Sequence, residues 1–174
     1  MDFTLRAWAL SDLNSLVRFA NNPNIAMNMT DQFTHPYTAI NGMAFIDFAT
    51  REIPVRLFAI EVEGEAAGGI GLHPQNDIQR KNAEIGYWLA EPYWGKGIMT
   101  RAIAEMVDYG FANLDIERIF ARPFGTNKGS QRVLEKAGFV FEAKFEKTFF
   151  KHGEYIDELF YAVRKDTWKS VKKG

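Results

Sequence analysis

Phe3, Leu5 and Ala7 alternate with Thr4, Arg6 and Trp8 in "FTLRAWA" (3–9), and a period of two predicts a first strand. The pattern then lengthens: Leu13, Leu16, Val17 and Ala20 recur at helical spacing behind Ser11 as N-cap, and Asn21, Asn22 and Pro23 end that helix. Residues 24–38 have no clear period and read as a partly buried connector or a substrate-facing wall. Thr38 caps a second helix with Ile40, Ala44, Phe45 and Phe48 on one side.

After Pro54 the period returns to two. "VRLFAIEVEGEAAGGIGLH" (55–73) reads as a hairpin turning at Glu63–Gly64–Glu65, and "NAEIGYWLA" (82–90) adds the next strand. From Gly97 to Leu114, Ile98, Ala102, Ile103, Met106, Val107 and Phe111 trace a long amphipathic helix, followed by the strand "ERIFARPF" (117–124). A short helix in "TNKGSQRVLEKAGF" closes on Gly138 as its left-handed cap. The strands 139–150 and 154–163 then meet at His152–Gly153, and "KDTWKSVKKG" gives a helical turn and a basic tail. The order βααβββαβαββ is an α+β plan with one crossover, from strand four through the long helix to strand five. Those two strands must be parallel neighbours, because a hairpin cannot connect parallel strands.

Composition narrows the function classes. A chain of 174 residues suits one domain, and at this size folding buries about 70% of the unfolded surface. The formal charge of -1 carries no global field toward nucleic acid or an anionic membrane. With no cysteine, disulfides, thiolate metal sites and a Cys nucleophile are excluded. His35, His73 and His152 lack metal-ligand spacing, so no metal is expected. The first residues have no signal-peptide core, and no apolar run approaches the ~20 residues of a membrane span, so a cytoplasmic location is expected.

The chemistry concentrates in "EIGYWLAEPYWGKGIMTRAI" (84–103). Its glycine turn has three readings. Gly95 and Gly97 permit a tight helix entry and no more. Alternatively, GxG after a strand, with Asp115 and Glu117 about twenty residues on, resembles a dinucleotide fingerprint; yet Thr100 replaces the third glycine and an antiparallel meander comes first. A Walker A loop fails, since Lys96 is followed by Gly97. In the third reading the first N–H groups of the helix, which lack intrahelical partners, cradle a pyrophosphate.

The succession "EIGYWLAEPYWGKGIMT", strand, "NKGSQRVLEKAGF" resembles the GNAT family of N-acetyltransferases, and most closely its ribosomal-protein N-terminal acetyltransferase (RimJ/RimL-like) branch. The resemblance spans nearly the whole chain, including "FTLRAW", "FTHPYT" and the final strand pair. It implies a GNAT fold: a mixed, mostly antiparallel seven-stranded sheet flanked by helices, forming one N-acetyltransferase domain over 1–174. It also implies acetyl-CoA, bound where strands four and five splay apart. Trp94, Gly95, Lys96, Gly97, Ile98, Met99 and Thr100 would hold its pyrophosphate. Trp94 and Met99 depart from the widest family pattern and match that branch. A bulge near Leu89 and Ala90 would free a backbone N–H for the thioester oxygen.

Asn127 would contact the pantetheine arm or cap its helix. Ser130 stands as general acid, because the family's frequent tyrosine is Leu134 here. Glu84 is the first choice of general base and Glu146 the second; an exposed Glu at a strand start is the plainer explanation of Glu84. Phe33, Tyr37 and Asp157 would wall the acceptor, although Asp157 could pair with a strand neighbour instead. Lys128 and Arg132 lie near the expected 3′-phosphate or are simply solvated. The implied reaction is direct attack of a primary amine on acetyl-CoA, with a protein N-terminus favoured and a monomer or homodimer as the assembly. Acetylation of a small-molecule amine such as a polyamine or aminoglycoside, a non-catalytic acyl-CoA-binding module and a nucleotide-dependent oxidoreductase are the competing classes.

Overall fold

The computed structural model describes residues 1–169; the basic tail expected at 170–174 lies outside the described residues. Seven strands form a sheet in the order β1-β2-β3-β4-β5-β7-β6. They are β1 (Thr4–Ala7), β2 (Leu57–Val62), β3 (Glu65–Pro74), β4 (Asn82–Leu89), β5 (Arg118–Ala121), β6 (Val140–Lys151) and β7 (Glu154–Arg164). The helices are α1 (Leu13–Ala20), α2 (Pro23–Ala26), α3 (Ala39–Ala49), α4 (Ile98–Asn113) and α5 (Lys128–Lys136). The β4–β5 pair is parallel, as a helical crossover requires, while the β1–β2, β2–β3, β5–β7 and β6–β7 pairs are antiparallel. The chain divides into two compact units, Met1–Gly71 with Tyr87–Ile98 and Leu72–Gly86 with the chain from Met99 onward.

In the first unit Trp8, Leu16, Tyr37, Ile46 and Trp88 pack into one apolar cluster. The sequence pattern grouped Trp8 with the polar face of the first strand. It is instead 3% exposed, because β1 ends at Ala7 and the alternation no longer applies one residue later. Its ring meets Phe45 edge-on at 5.2 Å. Gly69 makes room: a Cβ there would lie 2.8 Å from the Trp88 Nε1. The hairpin β2–β3 turns through Glu63 and Gly64, both at positive φ.

Three helix expectations change. A 3-10 turn at Leu10–Asp12 precedes α1, so Ser11 is not its cap. Asp12 anchors this turn by accepting the Ala9 N–H at 2.9 Å and both Arg6 Nη atoms at 2.8 Å. Pro23 starts α2 rather than ending a helix; Asn22 caps it by accepting from the Asn24 N–H, and a proline suits a first turn whose N–H groups lack partners. Thr38 does cap α3 in a reciprocal arrangement with Asn41, but the buried face is Gly42, Ile46 and Ala49, leaving Ile40, Ala44 and Phe48 exposed. A Cβ on Gly42 would stand 2.7 Å from Leu13 Cδ1, so the small-residue face is the one that approaches α1.

In the second unit α4 buries Ala102, Ile103, Met106 and Val107, and Leu72, Ile116, Ile119 and Leu134 are also fully buried. Gly110 sets the closeness of α4, since a Cβ there would be 2.5 Å from Leu72 Cδ1. Gly138 ends α5 at φ +97, as its cap position requires. The end of the described chain turns after Arg164, whose carbonyl accepts the Trp168 N–H at 2.8 Å.

Burial alone raises the Asp12 carboxyl; Arg6 and the Ala9 N–H overcome this and hold it below its ordinary 3.8. A depressed folded value contributes stability that is full above the unfolded value and is lost as pH falls through the folded one. Asp12→Asn should therefore lower Tm at pH 7 by roughly 4–8 °C, about 2 kcal/mol. Thermal scans across pH should show that deficit shrinking below 3.8. A deficit constant with pH would remove the ion pair as its cause.

Candidate functional site

The end of β4 and the start of α4 are joined by a turn that only glycine adopts easily. After Leu89 the chain makes a 3-10 turn at Glu91–Tyr93, and Gly95 and Gly97 follow at φ +73 and +74. Both are left-handed, a region that side-chain-bearing residues rarely occupy. A Cβ at either would find no atom within 4 Å, so both glycines border open space. The first N–H groups of α4 have no intrahelical carbonyl, and the positive end of the helix dipole lies with them. Ile98 and Met99 bury their side chains, leaving their backbone as what they offer a ligand. Such a turn fits a phosphate group without further machinery.

Trp94 and Lys96 frame the turn. The Trp94 Nε1–H donates to the Leu89 carbonyl at 2.7 Å, tying the turn to the end of β4, and the Lys96 ammonium sits 5.4 Å from the Tyr93 ring centroid. Thr100 is half-buried one residue into the helix from Met99. The Ala90 N–H donates to the Ala67 carbonyl at 2.7 Å. The one free backbone N–H expected near Leu89 and Ala90 is therefore not that of Ala90.

In the second unit the β4–β5 ladder has three pairs, Asn82↔Arg118, Ala83↔Ile119 and Glu84↔Phe120, although β4 continues to Leu89. Beside this ladder lies a cavity of about 310 Å³ lined by Gln75, Gln79, Asn82, Glu84, Arg118, Phe120, Arg122 and Phe160. Glu84 is not an isolated exposed carboxylate. Arg122 donates Nε and Nη2 to its two oxygens, both at 3.0 Å, and Nη1 to Glu158 Oε1 at 3.2 Å. The other Glu158 oxygen accepts from Thr148 Oγ1 at 3.0 Å. The hydrogen bond to Glu84 is the first cause of a raised Arg122 pKa, so this guanidinium stays charged. In the same lining Arg118 lies over the Phe120 ring, donates to Asn82 Oδ1 and pairs with Glu142.

Arg118, Arg122 and Glu158 escaped the sequence reading. The available signal was the alternation Arg118, Phe120, Arg122, which puts three side chains on the Glu84 face of a parallel neighbour.

The remaining predicted residues take mixed roles. Asn127 caps α5, its Oδ1 accepting the Ser130 N–H at 3.0 Å, and Ser130 is half-buried one turn into the helix. Leu134 is fully buried. Lys128 and Arg132 are exposed, with the Lys128 Nζ 3.5 Å from Gln131 Oε1. Phe33 and Tyr37 are in ring contact at 5.2 Å, but Tyr37 is buried and its phenol is pushed up to about 12 by that burial. Phe33, half-buried, offers the accessible part of that wall. Asp157 holds an irregular stretch of β6: it accepts the N–H of Lys147, a residue at φ +56, at 3.0 Å, and lies 3.7 Å from Lys144. It therefore does pair with a strand neighbour. Glu146 is an exposed partner of Lys144 at 3.3 Å.

Comparison with known proteins agrees with this geometry. Residues 2–140 match the family model "Acetyltransferase (GNAT) domain". The chain is 34% identical over 110 residues to "Putative ribosomal N-acetyltransferase YdaF" of Bacillus subtilis, covering 63% of this chain and 60% of that protein. It is 30% identical to the spermidine N(1)-acetyltransferase of Escherichia coli K12, covering 89% of this chain and 82% of that one. The Mycobacterium smegmatis RimJ structure, in complex with CoA-disulfide, superposes with a TM-score of 0.79 at 26% identity, covering 94% and 82% of the two chains.

Gly97→Val places a β-branched residue in a left-handed conformation and a side chain in the open space of the turn. Calorimetric titration should find CoA bound at least tenfold more weakly, about 1.4 kcal/mol. An unchanged Kd in a folded variant would move the phosphate cradle elsewhere.

Proposed function

Because the chain belongs to the acetyltransferase (GNAT) family and is an acetyl-CoA-dependent N-acetyltransferase, we propose that its acceptor is the α-amine of a peptide or protein N-terminus. The observation that carries this acceptor reading is the lining beside Glu84. Gln75 and Gln79 bring to it carboxamides that suit the N–H and C=O groups of a peptide, while the Asn82 carboxamide is already engaged, donating to the Gln79 carbonyl and accepting from Arg118, and each guanidinium of the lining already has a carboxylate. The ribosomal name carried by YdaF supports the same choice.

Bound acetyl-CoA supplies an activated thioester carbonyl. Around it each group of the chain has a task. Gly95, Lys96, Gly97, Ile98 and Met99 direct backbone N–H groups at the pyrophosphate, with Trp94 fixing the turn and the Thr100 hydroxyl beside it. The Leu89 N–H meets the carbonyl oxygen, where a single such donor is worth about 3 kcal/mol. The amine must be neutral to attack, and an α-amine, with a pKa of about 7.7–8.0, gives up its proton far more readily than a lysine at about 10.4. Glu84 receives that proton. Ser130, the hydroxyl residue of α5, offers one to the departing thiolate, with Asn127 capping the helix end that carries it. Phe33 and Tyr37 supply apolar wall, and Asp157 acts on the acceptor side through the β6 irregularity it holds.

Thiol release should be fastest with a peptide bearing a free N-terminus, with kcat/KM at least tenfold above that for spermidine and near background when the same peptide is N-terminally blocked. A higher kcat/KM for spermidine would overturn the acceptor reading in favour of the polyamine activity of the Escherichia coli relative. Glu84→Gln should lower kcat by roughly a hundredfold. A wild-type rate would end its role as base.

A further inference from the structure

The seat next to Glu84 already holds a cation that belongs to the chain. Two carboxylates, Glu84 on β4 and Glu158 on β7, share the single guanidinium of Arg122. Their surroundings differ. Glu158 is 9% exposed and fixed from behind by Thr148, whereas the Glu84–Arg122 pair faces the cavity, with side chains 26% and 39% exposed. Arg118, the other cation of the lining, is held by Asn82 and Glu142, so the Arg122 cluster keeps one carboxylate in excess.

From this geometry we infer that Arg122 is a specificity-determining residue, an internal stand-in for the acceptor ammonium, which must displace it from Glu84 to reach the base. The inference rests on the reading of Glu84 as base. Its physical ground is that a half-exposed ion pair is weak enough to exchange with an incoming cation, and Arg122 does not become unpaired when it yields, because Glu158 retains it. The exchange is balanced in charge: an ammonium enters against Glu84, the guanidinium stays on Glu158, and the ammonium's proton can then pass to the carboxylate it has reached. The class of acceptor follows. Aliphatic amines that are protonated in water can compete with a guanidinium, while neutral arylamines cannot, whatever their fit to the cavity.

Three variants test this, with binding measured by calorimetry on a free N-terminal peptide without acetyl-CoA and turnover measured by thiol release. Arg122→Gln should lower both Kd and KM for the peptide about fivefold, with a smaller change in kcat. In Arg122→Ala, low-millimolar guanidinium chloride should refill the seat and raise KM back toward the wild-type value as a competitive inhibitor, while leaving the wild-type enzyme unaffected. Glu158→Gln should act in the opposite direction and raise KM, because it removes the partner that retains Arg122. If Arg122→Gln raises Kd, or guanidinium has no effect on a folded Arg122→Ala, Arg122 serves only to position Glu84 and the inference falls. Should the neutral variants not fold, Arg122→Lys, which loses the bidentate contact but keeps the charge, must still lower KM; an unchanged or raised KM would be equally fatal. Failure of the base assignment has a separate signature, a Glu84→Gln enzyme with wild-type kcat and KM.

Discussion

Parallel pairing of β4 with β5 is the constraint on which the site depends. Two parallel neighbours cannot be joined by a hairpin, so the chain must leave β4, cross over a face of the sheet and re-enter at the same end. Here α4 makes that crossing, and its first turn consequently begins just past the end of β4. The abrupt change from strand to helix needs backbone angles that side chains resist, which is why Gly95 and Gly97 stand there at positive φ. A helix N-terminus with open glycines is therefore a result of the topology before it is a device for binding phosphate. The ladder stops after Glu84↔Phe120, while β4 continues to Leu89.

The same pairing organises the charged side chains. Asn82 and Glu84 on β4, Arg118 and Phe120 on β5 and Arg122 just past its end belong to one face because side chains alternate and the register is fixed by three ladder pairs. The opposite alternation, Ala83, Ile85, Ile119 and Ala121, is buried. A slip of one residue in β5 would put Arg118 and Arg122 into the apolar layer, at a desolvation cost far above what any surface pair returns. Burial of the odd positions thus specifies the polar site on the even ones.

How much of this was legible in the sequence follows from the range of the forces involved. The hairpin at Glu63–Gly64, the long helix from residue 98, the cap at Thr38 and the close at Gly138 are local matters of period, propensity and φ, and the pattern of residues expresses them directly. The crossover was legible because connectivity leaves a single solution. What failed was orientation. Trp8 sits one residue beyond its strand and joins the core, and α3 buries Gly42 in place of Ile40 because close approach to α1 favours the small face over the more hydrophobic one. Pairings across 38 residues, such as Glu84 with Arg122, depend on register between strands and leave no trace in either segment alone. The same applies to Asp157, whose partner Lys147 becomes a partner through an irregularity in β6.

The distribution of charge around Glu84 bears on how a fold shared by many acetyltransferases acquires a preference. In the proposed reading, the glycine turn meets the cosubstrate chiefly through backbone N–H groups, which recognise its common part without distinguishing acceptors. The polar side chains of Asn82, Glu84 and Arg118 line a cavity rather than the core. Their composition can therefore vary while the sheet stays intact. In the proposed reading, a carboxylate already held by a guanidinium sets a threshold that an acceptor has to exceed, and the carboxamides of Gln75 and Gln79 favour one that brings peptide groups with it. Discrimination built in this way needs both the attractive lining and the resident competitor. It lies in β4, in the loop before it, in β5 and in the residue that follows β5.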